Sequence, residues 1–263
     1  MSTALKVCFN GCSFTEGWGF PVEQRDNYIY DRLLAKKYSF ESTNIATGGS
    51  SNYLIFMKSC QAIMSGQYDI MFTQWTALNR LWLYPGPDCQ FFVNELINPD
   101  FSYREIHLSK KERTQLRTQL LLLNHDFHNI LALIDYCVIL CRLAEHSKTK
   151  IIFINGLVPW TSDFDQPIGT DLSLSLSEYS KEILDFDHRN DSEITKFFTI
   201  LQEKFLLIDK SKWVNIFDSL FLNQTDVSSD SHHPRIDSYH PGIHSHQWMA
   251  QQVSTYLENH HIL

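Results

Sequence analysis

The residues able to do chemistry in this chain gather at three places. Near its C-terminal end, the segment Ser231-His-His-Pro-Arg-Ile-Asp237-Ser-Tyr-His240-Pro241-Gly-Ile-His244-Ser-His246 holds five of the 12 histidines. Asp237 and His240 are three positions apart, close enough for the carboxylate to accept the imidazole Nδ1–H. That contact would fix the tautomer and leave Nε2 as a base for a serine hydroxyl. The same histidines could also be a metal cluster, but their spacing completes no HExxH or comparable carboxylate set, so no metal is expected. A solvated His-rich loop is the plainer alternative.

The other two places are turns. Leu5 to Phe9 is a short apolar run ending in Asn10-Gly11-Cys12-Ser13, a strand entering a turn. In a parallel α/β sheet, ligands bind at the carboxyl ends of strands, so a hydroxyl on Ser13 would face the cleft. A helix starting there would favour developing negative charge near the Ser13 amide. A serine in that position is otherwise an ordinary turn or N-cap residue. A second strand ends in Gly48-Gly49-Ser50-Ser51-Asn52, where a glycine lets a backbone N–H approach a ligand oxygen closely, as an oxyanion hole requires. Neither GxxxxGK[ST] nor GxGxxG after a strand occurs, which argues against a phosphate loop.

The elements that must position these residues alternate. Asp31 to Tyr38 reads as a helix after a polar loop at Val22 to Asn27, and Ser42 to Ala46 as a strand. Leu54 to Ile63 repeats at helical spacing, and Asp69 to Trp75 is a third strand. Arg113 to His146 is long, periodic and free of Gly and Pro, hence one helix or two. Lys150 to Asn155 is a buried strand closed by Gly156. Phe205 to Ile208 and Val214 to Phe217 offer a fifth strand, and Gln247 to Leu257 a last helix. Strands alternating with helices predict an α/β fold, a three-layer α/β/α domain around a parallel sheet of about five strands. We expect one domain over 1–263 with insertions at about 80–112 and 160–191.

Taken together, the three places resemble a known family. Gly11-Cys12-Ser13-Phe14-Thr15 resembles the first block of the SGNH (GDSL-type) hydrolases, with Cys12 where Asp is usual. Asn44-Ile-Ala-Thr-Gly-Gly49 resembles the second block, whose glycine donates to the oxyanion. Asp237-Ser-Tyr-His240-Pro241 resembles the last block, DxxHP, which supplies acid and base. The blocks occur in family order. The third block, GxND, is replaced by Gln74-Trp75-Thr76-Ala77, with Thr76 in the register of the oxyanion asparagine and Asn79 three residues on. Trp75-Thr76…Arg80 is similar to a version in phage-like and cyanobacterial-like relatives, so Trp75 and Arg80 are candidates for substrate contact.

The resemblance implies a flavodoxin-like SGNH fold and a serine esterase or deacylase forming an acyl-enzyme on Ser13. His240, oriented by Asp237, would be the base, and Ser13, Gly49 and either Thr76 or Asn79 the oxyanion donors, with no cofactor. The substrate would be an ester of a small molecule or carbohydrate. The same triad would serve an acyltransferase in a biosynthetic pathway, and the decayed third block would suit a non-catalytic binding protein that kept the fold.

Composition excludes other classes. At 263 residues, 43% hydrophobic and 13% aromatic, the chain is neither disordered nor too small for a core. A formal charge of -8 argues against a nucleic-acid partner. The most apolar stretch, Leu120 to Leu143, is too polar for a membrane span. The cysteines (8, 12, 60, 89, 137, 141) form no CxxC pair, and no secretory signal is visible, so a reduced, cytoplasmic protein is expected. Seven aromatics (Trp75, Trp82, Tyr84, Phe91, Phe92, Phe101 and Tyr103) are expected mainly in the core, with a substrate platform or a homodimer interface as the other uses.

Overall fold

Five strands pair in parallel in this protein, and the register runs without a break from one edge to the other. The computed structural model describes residues 4–76, 80–82, 90–92, 126–155, 200, 203–204, 207, 209–215 and 240–263. Strand β1 (Lys6–Asn10) lies between β2 (Glu41–Asn44) and β3 (Ile70–Trp75); β6 (Lys150–Asn155) follows β3, and β7 (Trp213–Asn215) closes the edge. Counting only these strands, the order is 2-1-3-4-5, the flavodoxin-like arrangement. The expected α/β class and three-layer architecture are present. A separate antiparallel pair joins β4 (Arg80–Trp82) to β5 (Gln90–Phe92), within the first expected insertion.

Alternation along each strand explains the layers. Val7 and Phe9 of β1 join Ile70, Phe72, Ile152 and Ile154 on one face. Helices α3 (Tyr30–Tyr38) and α6 (Ile243–Asn259) cover that face through Tyr30, Leu34, Met249, Val253 and Leu257. Cys8, Met71, Ile151 and Phe153 point the other way. They meet Ile55 and Ile63 of α4 (Asn52–Met64) and Leu133, Cys137 and Leu140 of α5 (Asp126–Glu145). A sheet hydrophobic on both faces buries its strands only between two helix layers.

Three differences from the sequence expectations have physical reasons. Val22–Tyr28 is helix α2, not a polar loop. None of its side chains is buried, so it shows no apolar periodicity from which a helix could be read. The last helix starts at Ile243, four residues earlier than expected, because Gly242 caps it in an extended conformation. The fifth strand is Trp213–Asn215; Leu207 lies in a turn, while 205, 206, 208, 216 and 217 are outside the described residues. The described part of the long helix is α5, and most of the two expected insertions is likewise outside. Cys8, Cys12, Cys60, Cys137 and Cys141 are free thiols, and burial pushes Cys8 up to about 12. Among the described residues, no helix is long and apolar enough to cross a membrane.

Candidate active site

Ser13 opens the short helix α1 (Ser13–Glu16), directly after β1, with Cys12 at its N-cap. The turn is held from below. Asn10 Nδ2 donates to Ile55 O at 2.7 Å and to Ser59 Oγ at 2.9 Å, and Asn10 Oδ1 accepts the Gly11 N–H at 2.9 Å. Ser59 Oγ in turn meets Thr73 Oγ1 at 3.1 Å. This buried polar network fastens the end of β1 to α4 and β3, segments far from the serine in sequence. Thr15, two residues further, donates to Gln74 Oε1 and accepts from Tyr30 OH at 3.3 Å.

The loop after β2 comes alongside. Gly48 N–H donates to Glu16 Oε2, and Glu16 also accepts from Trp18 Nε1 at 2.8 Å and Arg25 Nη1 at 3.2 Å. From the other side, Lys58 Nζ donates to Ile45 O at 3.0 Å and to Thr47 Oγ1. Burial pulls the Lys58 ammonium below its usual range, while Glu16 opposes that shift. Gly49 follows with φ +76°, a left-handed conformation that a side chain would strain. Among the described residues, neither the Ser13 nor the Gly49 amide has a backbone acceptor.

Thr76 closes the third side. It is fully buried just past β3, and Asn52 grips its peptide: Thr76 N–H donates to Asn52 Oδ1 at 2.8 Å, and Asn52 Nδ2 donates to Thr76 O at 3.1 Å. The Thr76 hydroxyl is buried with no partner among the described residues. Arg80 Nη1 reaches Ser50 O at 3.5 Å, so its guanidinium lies against the second loop.

His240 arrives from the other end of the chain. Its ring centroid is 6.0 Å from that of Phe14, next to Ser13, at an interplanar angle of 72°, and 6.0 Å from Trp18 at 39°. Gly19 has φ +104°, and a Cβ there would stand 3.1 Å from the His240 Cβ, so a side chain at this position would be strained and would crowd the histidine. His246, further along the chain, is fully buried between Phe20 and Tyr30, and its Nδ1 accepts the Tyr30 N–H at 3.3 Å. Burial, reinforced by nearby His240, holds His246 down to about 3, a neutral core histidine. The solvated-loop reading of the His-rich segment does not describe His246.

No protein-family model matches the chain, and no curated protein matches it. Solved structures do. The chain is similar to the psychrotrophic esterase EstA from Pseudoalteromonas sp., with a TM-score of 0.46 and 10% identity over 97% of each chain. It is similar to a variant of an acetyl-xylooligosaccharide esterase from Geobacillus, at 0.45 and 10% over 96% of this chain and 94% of that one. A structure described as a lipolytic protein of the G-D-S-L family from Desulfitobacterium hafniense gives 0.39 and 12%, over 96% and 99%.

Of the residues that the SGNH resemblance singles out, Ser13, Gly49, Thr76, Arg80 and His240 are described at the carboxyl ends of β1, β2 and β3 or beside them. Asp237 and Asn79 lie outside the described residues. Trp75 is 0% exposed and stacked on Phe153 at 5.8 Å, packed in the core between sheet and α5. Its position on β3 is one of a run of six buried residues, which periodicity could not separate into inward and cleft-facing sides. Sequence reading also missed Asn52, Glu16 and Trp18. The SGNH blocks end before each of them, and their contacts are with residues distant in sequence.

Proposed function

We propose that this protein is an SGNH-type serine esterase or deacylase that works through an acyl-enzyme on Ser13. His240 Nε2 takes the Ser13 proton as Oγ bonds to the ester carbonyl carbon. The C–O bond to the alcohol then breaks, and His240 returns the proton to the leaving oxygen. Water attacks the acyl-enzyme with the same base, releasing the acid and freeing Ser13. Asp237 orients the imidazole. The amides of Ser13 and Gly49 and the hydroxyl of Thr76 stabilise the oxyanion, with Asn79 as the other candidate for the third donor.

The observation that supports this reading best is the pairing of His240 with the Ser13 turn, through Phe14 on one side and the glycine at position 19 on the other. The unpartnered hydroxyl of Thr76, on a peptide clamped by Asn52, supports the oxyanion assignment. A buried donor held on a rigid backbone loses no reorganisation energy when charge develops beside it.

A fluorophosphonate probe, read by mass spectrometry, tests the nucleophile directly: the adduct is expected on the peptide carrying Ser13. p-Nitrophenyl acetate, with and without an acceptor alcohol, tests the reaction. Hydrolysis without acceptor is the expected outcome. Turnover only with acceptor would replace the esterase by an acyltransferase, and a folded protein that is neither labelled nor active would leave a binding module.

A further inference from the structure

Trp18 stands out among the exposed apolar side chains because it borders the proposed catalytic residues. It is 40% exposed, yet its indole is not loose. Its N–H is bonded to Glu16 Oε2 at 2.8 Å, and the same carboxylate holds the Gly48 amide and Arg25. The ring approaches the second loop so closely that a Cβ on Gly48 would fall 2.7 Å from Trp18 Nε1. On the other side it lies 6.0 Å from the imidazole of His240. With the N–H already satisfied, the accessible part of the indole is C–H and π surface, rimmed by Glu16 and Arg25, whose side chains remain 27% and 19% exposed.

We propose that Trp18 is the platform for the leaving alcohol of the ester, and that this alcohol is a sugar. The inference rests on the esterase reading above. His240 must hand its proton to the leaving oxygen across about 2.6–3.2 Å, so the alcohol departs past the imidazole and beside whatever flanks it. A fixed, half-exposed indole beside that path offers a flat apolar surface to the C–H face of a pyranose. The charged rim supplies partners for its hydroxyls, a combination that a simple alkyl alcohol would leave unused. Glu16 holds both the platform and the oxyanion loop, so the leaving group and the carbonyl oxygen are aligned by one carboxylate.

The test keeps the acyl group constant and varies the alcohol. Acetate esters all form the same acetyl-enzyme, so differences in kcat/KM among them report the alcohol's contacts during acylation. Ethyl acetate, phenyl acetate and a mono-O-acetyl methyl glucoside are compared on the wild type, Trp18→Ala and Trp18→Phe. We expect Trp18→Ala to lower kcat/KM for the glucoside about tenfold more than for ethyl acetate, with Trp18→Phe recovering most of that selectivity. Equal losses on all esters would overturn the proposal, since they would mean that the indole only supports His240. A selective loss on phenyl acetate would overturn the sugar assignment. Binding of the acetylated glucoside to Ser13→Ala protein, by saturation-transfer NMR, separates this proposal from the one it rests on. Binding that Trp18→Ala abolishes, in a protein whose wild type hydrolyses none of the esters, would sink the esterase reading and the leaving-alcohol role with it, and keep Trp18 only as a sugar-binding surface. Hydrolysis of ethyl acetate with glucoside binding indifferent to Trp18 would do the reverse, and no binding and no hydrolysis would overturn both.

Discussion

Asn52 holds Thr76 by both ends of one residue's backbone, accepting its N–H at 2.8 Å and donating to its carbonyl at 3.1 Å. Asn52 is the first residue of α4, whose N-cap Ser51 accepts the Leu54 N–H. The helix that packs under the sheet therefore also sets where β3 ends. Asn52→Ala leaves two buried backbone groups unpaired, each worth about 1–3 kcal/mol. We expect stability to fall by about 2–6 kcal/mol in urea unfolding. Turnover should fall in addition, with KM nearly constant, because Thr76 would lose its fixed position. Loss of stability with unaltered kcat would separate Thr76 from the oxyanion.

The Thr76 hydroxyl itself gives a cleaner measurement. Thr76→Val keeps the shape and removes a buried group that has no partner among the described residues. Stability should be unchanged or slightly higher, because no hydrogen bond is broken. Turnover should drop about tenfold or more, the mark of a donor used only in the transition state. If Asn79 is the donor, Asn79→Ala shows that kinetic signature and Thr76→Val is silent. If both are silent, the backbone amides act alone.

Ser13→Ala and His240→Ala should each remove esterase activity while the thermal midpoint moves little, since neither residue anchors the two hydrophobic layers. Asp237→Asn should lose less than removal of the nucleophile. Hydrolysis of p-nitrophenyl acetate alongside thermal melts checks all three, and wild-type turnover by Ser13→Ala would exclude the assigned nucleophile.

Two buried groups should bend the pH dependence of stability in opposite directions. His246 is held down to about 3 by burial, so between that value and its ordinary 6.5 the unfolded chain binds the extra proton and stability falls as pH falls. Burial raises Asp31 to about 6, against the opposing pull of Arg32 and Ser42. Between its ordinary 3.8 and about 6 the folded state binds the extra proton, so its contribution is complete below 3.8 and is lost as pH rises through 6. Urea unfolding from pH 4 to 7 should therefore show a shallow net slope in the wild type. His246→Asn, which keeps an acceptor for the Tyr30 N–H, should remove the loss at low pH, and Asp31→Asn should steepen it. Identical slopes in all three proteins would mean that neither group titrates with folding.

Periodicity and turn chemistry determined a good deal without the structure. Lys150–Asn155 is legible as a strand because a run of apolar residues between a lysine and a glycine has one plausible role in a two-sided sheet. The alternation of such runs with helical spacing was enough for the layer architecture, and the glycines at 48 and 49 marked a loop able to approach a ligand. These are local signals, carried by neighbours in the chain. Helix α2 gave none, since with no buried face it has no apolar period to detect. The packing of His240 against Phe14 and Trp18, the grip of Asn52 on Thr76 and the hold of Glu16 on Gly48 were decided only by tertiary structure. So was the sorting of Trp75 into the core and His246 into an aromatic slot. Each depends on which side of the sheet a residue faces and which distant segment meets it there. A residue's type limits the contacts it can make, but the partner is supplied by the parallel sheet, which brings the ends of β1, β2 and β3 to one edge from segments far apart in the chain.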